Sequence, residues 1–122
     1  MRFNWTKIKR NWLKWKLDYL SLLAIALFYY GRLQWNIFFG DPDAFYHTKI
    51  ALFLRQGILL KSLPWMQTST LAENFTDHHL LYHLILAPFS YIIDPIIGVK
   101  IASVLFAAIM VIVFYWLLKK MH

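Results

Sequence analysis

The sequence predicts an all-α integral membrane protein: two transmembrane helices joined by an extracytoplasmic loop that contains two interfacial or re-entrant helices. Three observations predict it. First, 60% of the 122 residues are hydrophobic and 19% are aromatic. A soluble domain of this size cannot cover that much apolar surface with polar groups. Second, two apolar stretches, 17–39 and 96–118, are each long enough to cross a bilayer. Third, charge is sorted around them. Six Lys and Arg residues precede Leu17 and the pair Lys119–Lys120 closes the second stretch, while five of the six acidic residues (Asp41, Asp43, Glu73, Asp77 and Asp94) lie between the spans. The positive-inside rule then puts the amino terminus in the cytoplasm and residues 40–95 outside, a multi-pass arrangement in the cell membrane.

The elements follow in order. Residues 1–16, MRFNWTKIKRNWLKWK, alternate basic side chains with Trp5, Trp12 and Trp15, a composition suited to anionic headgroups. The net charge of +7 is thereby directed at membrane lipids and not at nucleic acid. No small-residue cleavage site follows, so the segment reads as an uncleaved anchor. The first span, 17–39, carries Gly31, Arg32, Gln34 and Asn36 in its last third. Arg32 either snorkels to the outer interface or faces a bundle interior or a bound anion.

The loop opens with GDPDAFYHTK. Asp41 followed by Pro42 marks a helix start, the aspartate as cap and the proline at the first helical position. The helix runs to about Gln56, with Gly57 as its stop. Tyr46, Ile50, Phe53 and Leu54 make an apolar stripe, so this helix lies in the outer interface. A second short apolar run, residues 79–93, is broken by Pro88 and is too short to cross. Trp65, Phe75, Tyr82 and Tyr91 are expected to form the outer aromatic belt. The second span, strongest over Ile101–Leu118, completes the chain, and no internal repeat is visible. The absence of cysteine excludes a disulfide framework and a thiolate metal site.

Two clusters carry chemistry. Asp43 and His47 stand four apart on one helix face. Carboxylates held just outside a membrane bind a divalent cation or accept a proton from a nucleophile beside lipid-borne substrates. On local grounds alone, Asp41 is equally a cap and His47 a solvated side chain. In NFTDHHLLYH, residues 74–83, His79 and His83 are also four apart. On a helix they would ligate one ion with Asp77 nearby, or simply anchor a short interfacial helix.

The order and spacing of these parts resemble the amino-terminal portion of C-type membrane glycosyltransferases, nearest to the catalytic subunit of oligosaccharyltransferase of bacteria and archaea. Asp43-Ala44-Phe45-Tyr46-His47 stands where those proteins place an external aspartate, LPWMQTSTL where they place an aromatic-proline loop, and LLYHLILAPFSYI before the next span. Asp77-His78-His79 is similar to an Asp-x-His element that in archaeal relatives belongs to a later external loop. The resemblance implies a polyprenyl-phosphate-linked sugar donor, an acceptor protein or glycan, and transfer on the outer face. It implies Asp43 as the catalytic carboxylate, with Asp41 as second choice. Arg32, His47 and Trp65 are then the candidates for contacting substrate, and Asp43, Asp77, His79 and His83 those for a metal, Mg or Mn ahead of Zn. Two apolar helices and a half-apolar loop make a poor core. The expectation is therefore an amino-terminal piece, inactive alone, that needs further transmembrane helices or subunits. Two other readings stay open: a two-span accessory or scaffold protein without catalysis, and a fragment of a metal-binding membrane hydrolase or transporter.

Overall fold

The computed structural model describes residues 5–35, 41–92 and 94–121, with side chains from Lys16 onward. Among them every regular element is helical: α1 (Trp5–Leu33), α2 (Asp43–Arg55), a 3₁₀ turn (Thr70–Ala72), α3 (Leu80–Leu86), a second 3₁₀ turn (Ala87–Tyr91) and α4 (Pro95–Met121). The chain divides into two compact units, residues 1–35 with 103–122, and residues 36–102.

In the first unit the middle of α1 is clipped to the last turns of α4. Lys119 Nζ donates to Asp18 Oδ2 at 2.9 Å, and the Tyr115 hydroxyl donates to the same oxygen at 3.4 Å. The Tyr19 and Tyr115 rings meet edge to face at 5.1 Å. α1 starts inside the basic segment, so residues 5–16 run without a break into the expected first span as far as Leu33. The carboxyl-terminal part of that expected span, residues 36–39, lies outside the described residues. Among the described residues α4 is the one helix long and apolar enough to cross a membrane, and only 22% of its most apolar window is covered. Ile109, Met110, Phe114 and Trp116 are exposed along it. α1 falls short because Asp18, Tyr19, Tyr29, Tyr30 and Arg32 interrupt its apolar run.

The second unit is built around α2. Asp41 Oδ1 accepts the Asp43 N–H at 3.0 Å, and Pro42 already has helical dihedrals (φ −56°, ψ −34°). Pro42 thus stands at the cap position, one residue later than the sequence indicates, and the Asp41 carboxylate before it holds the N–H of Asp43, the first helical residue. At the other end Gly57 takes φ +75°. Its N–H donates to the Leu54 carbonyl at 2.9 Å, and the Ile58 N–H to the Phe53 carbonyl at 2.9 Å. This paired closure needs a left-handed residue, which glycine supplies without a Cβ clash.

The chain then folds back on α2. Phe75 N–H donates to the Lys61 carbonyl and Leu63 N–H to the Leu71 carbonyl, both at 2.8 Å. The fold-back buries Leu63 and Phe75 against Ile50, with Tyr46, Leu54, Leu60 and Leu71 packed around them. The stripe expected to lie in the interface is therefore spent largely on the protein's own loop. Phe75, expected in the aromatic belt, points into this cluster. The physical reason is the backbone pairing, which returns residues 61 and 75 to one another and turns Phe75 inward.

The carboxyl end of α2 is tied to the second 3₁₀ turn. Arg55 Nη1 donates to the Ser90 carbonyl at 2.6 Å, its guanidinium lies 4.2 Å from the Tyr91 ring centroid, and the Tyr91 hydroxyl donates to the Arg55 carbonyl at 3.3 Å. α4 begins with the same dipeptide as α2: Asp94 Oδ1 accepts the Ile96 N–H at 2.7 Å, with Pro95 first in the helix. One turn on, Gly98 lets the α4 backbone touch the Phe89 carbonyl, where a Cβ would collide.

Candidate functional site

The face between α2 and α3 holds the chemistry. Asp77 precedes α3 and uses both carboxylate oxygens. Oδ1 accepts the His79 N–H at 2.9 Å in the turn just before α3, and Oδ2 accepts from His83 Nδ1 at 2.7 Å. Four residues into α3, His83 is fully buried and points at α2. Its second nitrogen, Nε2, lies 2.7 Å from His47 Nδ1. Three side chains from two elements thus form one hydrogen-bonded line, Asp77–His83–His47.

The donors and acceptors along the line follow from Asp77. A carboxylate only accepts, so His83 Nδ1 carries a proton. With both imidazoles neutral, His83 Nε2 is then an acceptor and His47 Nδ1 donates to it. That leaves the His47 Nε2 lone pair free. His47 Nε2 makes no hydrogen bond, and among the described residues no polar side-chain atom is buried without a partner, so this nitrogen reaches solvent.

Aromatic rings wall the line. Tyr82 stands edge-on to His47 at 5.2 Å, His79 at 5.5 Å, and Tyr46 edge-on to His83 at 5.8 Å. Burial holds the His47 imidazole below the usual histidine range, helped by His83 and His79 and opposed by Asp43 and Asp77. Burial likewise raises the Tyr46 and Tyr82 phenols, Tyr46 further through Asp77. At neutral pH His47 is uncharged and both tyrosines keep their protons.

The sequence-predicted residues fall as follows. Asp43 is exposed on the first turn of α2, one turn before His47. Asp41 is committed to its bond with the Asp43 N–H. Trp65 is exposed and stacks on Phe53 at 6.1 Å. Arg32 is exposed in the last turn of α1, in the first unit. His83, expected as an ion ligand, has both ring nitrogens committed, one to Asp77 and one to His47. Asp77 has both oxygens engaged, and the His79 and His83 rings stand 6.2 Å apart at 84°. Asp43, Asp77, His79 and His83 therefore do not fit a shared ion as a set, and among the described residues no group of three or more such side chains is arranged to hold one. The tyrosine walls and the pairing of His47 with His83 were not read from the sequence.

No family model matches the chain, and neither a curated protein nor a solved structure is similar to it.

Proposed function

We propose that this chain is the amino-terminal portion of a membrane glycosyltransferase that draws on a polyprenyl-phosphate-linked sugar on the outer face of the membrane. The observation that carries the reading is the buried Asp77–His83–His47 line, which ends in an open nitrogen one helical turn from Asp43. Sugar transfer needs a group that removes a proton from the incoming acceptor and a carboxylate beside the positive charge that develops on the sugar ring. The α2 face offers both.

Its setting supports a lipid-borne donor. α3 buries His83 with Leu86 and leaves Leu81 (73%), Leu84 (50%) and Ile85 (46%) exposed, more apolar surface than a helix in water would show. In this reading α3 lies in the outer interface and α1 and α4 both span, with the clip between Asp18 and Lys119 on the cytoplasmic side. Donor recognition and further transmembrane helices come from elsewhere in the assembly.

The test uses the full natural chain in proteoliposomes with a polyprenyl-phosphate sugar and a hydroxyl-bearing acceptor, and it measures release of polyprenyl phosphate. Asp43→Ala loses transfer while the protein stays inserted. Near-normal turnover of that variant removes the reading.

A further inference from the structure

We infer that His47, not Asp43, is the group that takes the proton from the acceptor hydroxyl, and that His83 stores this proton against Asp77 while the sugar moves. The inference rests on the proposed function for the identity of the acceptor, and on the geometry of the α2–α3 face for the rest.

Only one atom in the line is placed to accept a proton from outside. Asp77 is almost wholly covered and His83 completely so, and both are saturated by hydrogen bonds. His47 Nε2 is open and, in the neutral line, unprotonated. Asp43 is exposed on the first turn of its helix and is not part of the line.

The step balances. The acceptor oxygen attacks the sugar carbon as its O–H bond breaks toward His47 Nε2. The bond from that carbon to the phosphate oxygen breaks, and the electron pair leaves with the polyprenyl phosphate. His47, now carrying two protons, passes the one on Nδ1 across 2.7 Å to His83 Nε2. His83 becomes an imidazolium held 2.7 Å from the Asp77 carboxylate. The positive charge ends beside the buried anion and His47 is neutral again, with its remaining proton on Nε2. The reverse path returns the proton to water after product leaves. Asp77 and His83 are positioning residues here, and His47 is catalytic. The ionisable groups facing His47 are Asp43 on its own helix, Asp77 and His79 before α3, and Tyr82 and His83 on α3. Tyr46 flanks it on α2.

The experiment has two arms on the full chain. In the first, histidine nitrogens are labelled with ¹⁵N in detergent micelles. The expected spectrum at neutral pH shows His47 bare at Nε2, protonated at Nδ1 and coupled to His83 Nε2 through the hydrogen bond. Asp77→Asn turns an amide N–H toward His83, since its oxygen keeps the turn bond. The line must then reverse, which leaves His47 protonated at Nε2. A wild-type His47 already protonated at Nε2, or an unchanged spectrum in Asp77→Asn, overturns the inference. In the second arm, transfer is measured to acceptors of graded acidity. His47→Gln should lose about 10²–10⁴-fold with an ordinary alcohol, and far less with an acidic phenol that needs no base. The KM for the donor should stay where it was. Equal losses for all acceptors, or none, overturn the role of His47 while leaving the glycosyltransferase reading intact. A wild-type protein that transfers to no acceptor removes that reading and this step with it, whatever the first arm shows.

Discussion

Replacing Asp77 tests the buried line without reference to any reaction. The carboxylate holds two bonds, 2.9 Å to the His79 N–H and 2.7 Å to His83 Nδ1. Its side chain is 5% exposed and that of His83 is 0% exposed, so water cannot replace the bond between them without rearrangement, whereas the bond to the His79 N–H is open to solvent. Asp77→Ala removes the acceptor of the turn bond from the His79 N–H, which costs about 1 kcal/mol. It also strands a buried N–H donor, which costs about 1–3 kcal/mol. The expected destabilisation is about 2–4 kcal/mol. Asp77→Asn keeps an oxygen for the turn bond and loses mainly the charge assistance of the second bond, roughly 1 kcal/mol. The assay is equilibrium unfolding in mixed micelles, titrating a denaturing into a mild detergent and following helicity by circular dichroism. The ordering wild type, asparagine, alanine should be resolved, with the larger gap before alanine. An alanine variant within about 1 kcal/mol of wild type, or equal to the asparagine variant, would refute the claim that this carboxylate is buried and doubly bonded.

The same unfolding assay should show stability falling as the pH drops below about 6.5, the unfolded histidine value. Because His47 is held below that value in the fold, the unfolded chain binds the extra proton first. The contribution of His47 is therefore complete above about 6.5 and is lost as pH falls through its lowered folded pKa; His47→Gln should flatten that part of the profile, and an unchanged profile counts against the burial of His47. Gly98→Ala should cost about 1–3 kcal/mol, since the new Cβ meets backbone at the Phe89 carbonyl and not a side chain that can swing away; thermal unfolding of the pair of proteins checks it. Gly57→Ala forces alanine to φ +75° at the end of α2 and should cost about 1–2 kcal/mol, which unfolding of that variant beside wild type measures. The chain has no cysteine, so His78→Cys provides a single exposed thiol before α3; an impermeant maleimide should label it in intact cells, and labelling only after lysis would put the whole α2–α3 face on the cytoplasmic side.

What was legible in the sequence is what local chemistry decides. The limits of α2 follow from Asp41-Pro42 and Gly57, whose effects act within one turn. The start of α4 was equally legible in Asp94-Pro95, but hydropathy drew attention to the apolar run beyond it. The His83 pairing was not legible, because its partner on α2 lies 36 residues away and only the packing of α3 on α2 joins them. Periodicity instead groups His79 with His83, as four-apart neighbours. That grouping fails because His79 precedes the first turn of α3 and stays exposed, while His83 points inward. Phe75 was misplaced for a related reason: an aromatic residue in an apolar loop reads the same whether the loop lies on lipid or folds onto its neighbouring helix.

The exposed apolar face of α3 links the site to its surroundings. A seven-residue helix of sequence LLYHLIL has one strongly polar side chain, and in water the stable choice is to wet it and bury the leucines. Here His83 is buried together with Leu86, while the remaining leucines and the isoleucine stay out. Its hydrogen bonds to Asp77 and His47 offset the loss of water, but among the described residues nothing covers Leu81, Leu84 and Ile85. Left about half exposed or more, the three side chains together forgo about 2–5 kcal/mol of burial, a sum at least as large as the two hydrogen bonds return. The arrangement becomes favourable once an apolar phase covers the outer face of α3. The segment that follows leads within four residues into α4, the described helix with the composition of a membrane span. A bilayer is thus the covering that needs the fewest further assumptions. The helix rotation that leaves Leu81, Leu84 and Ile85 exposed is the same rotation that carries His83 onto His47, so the outer face of α3 and the buried line are two results of one packing choice.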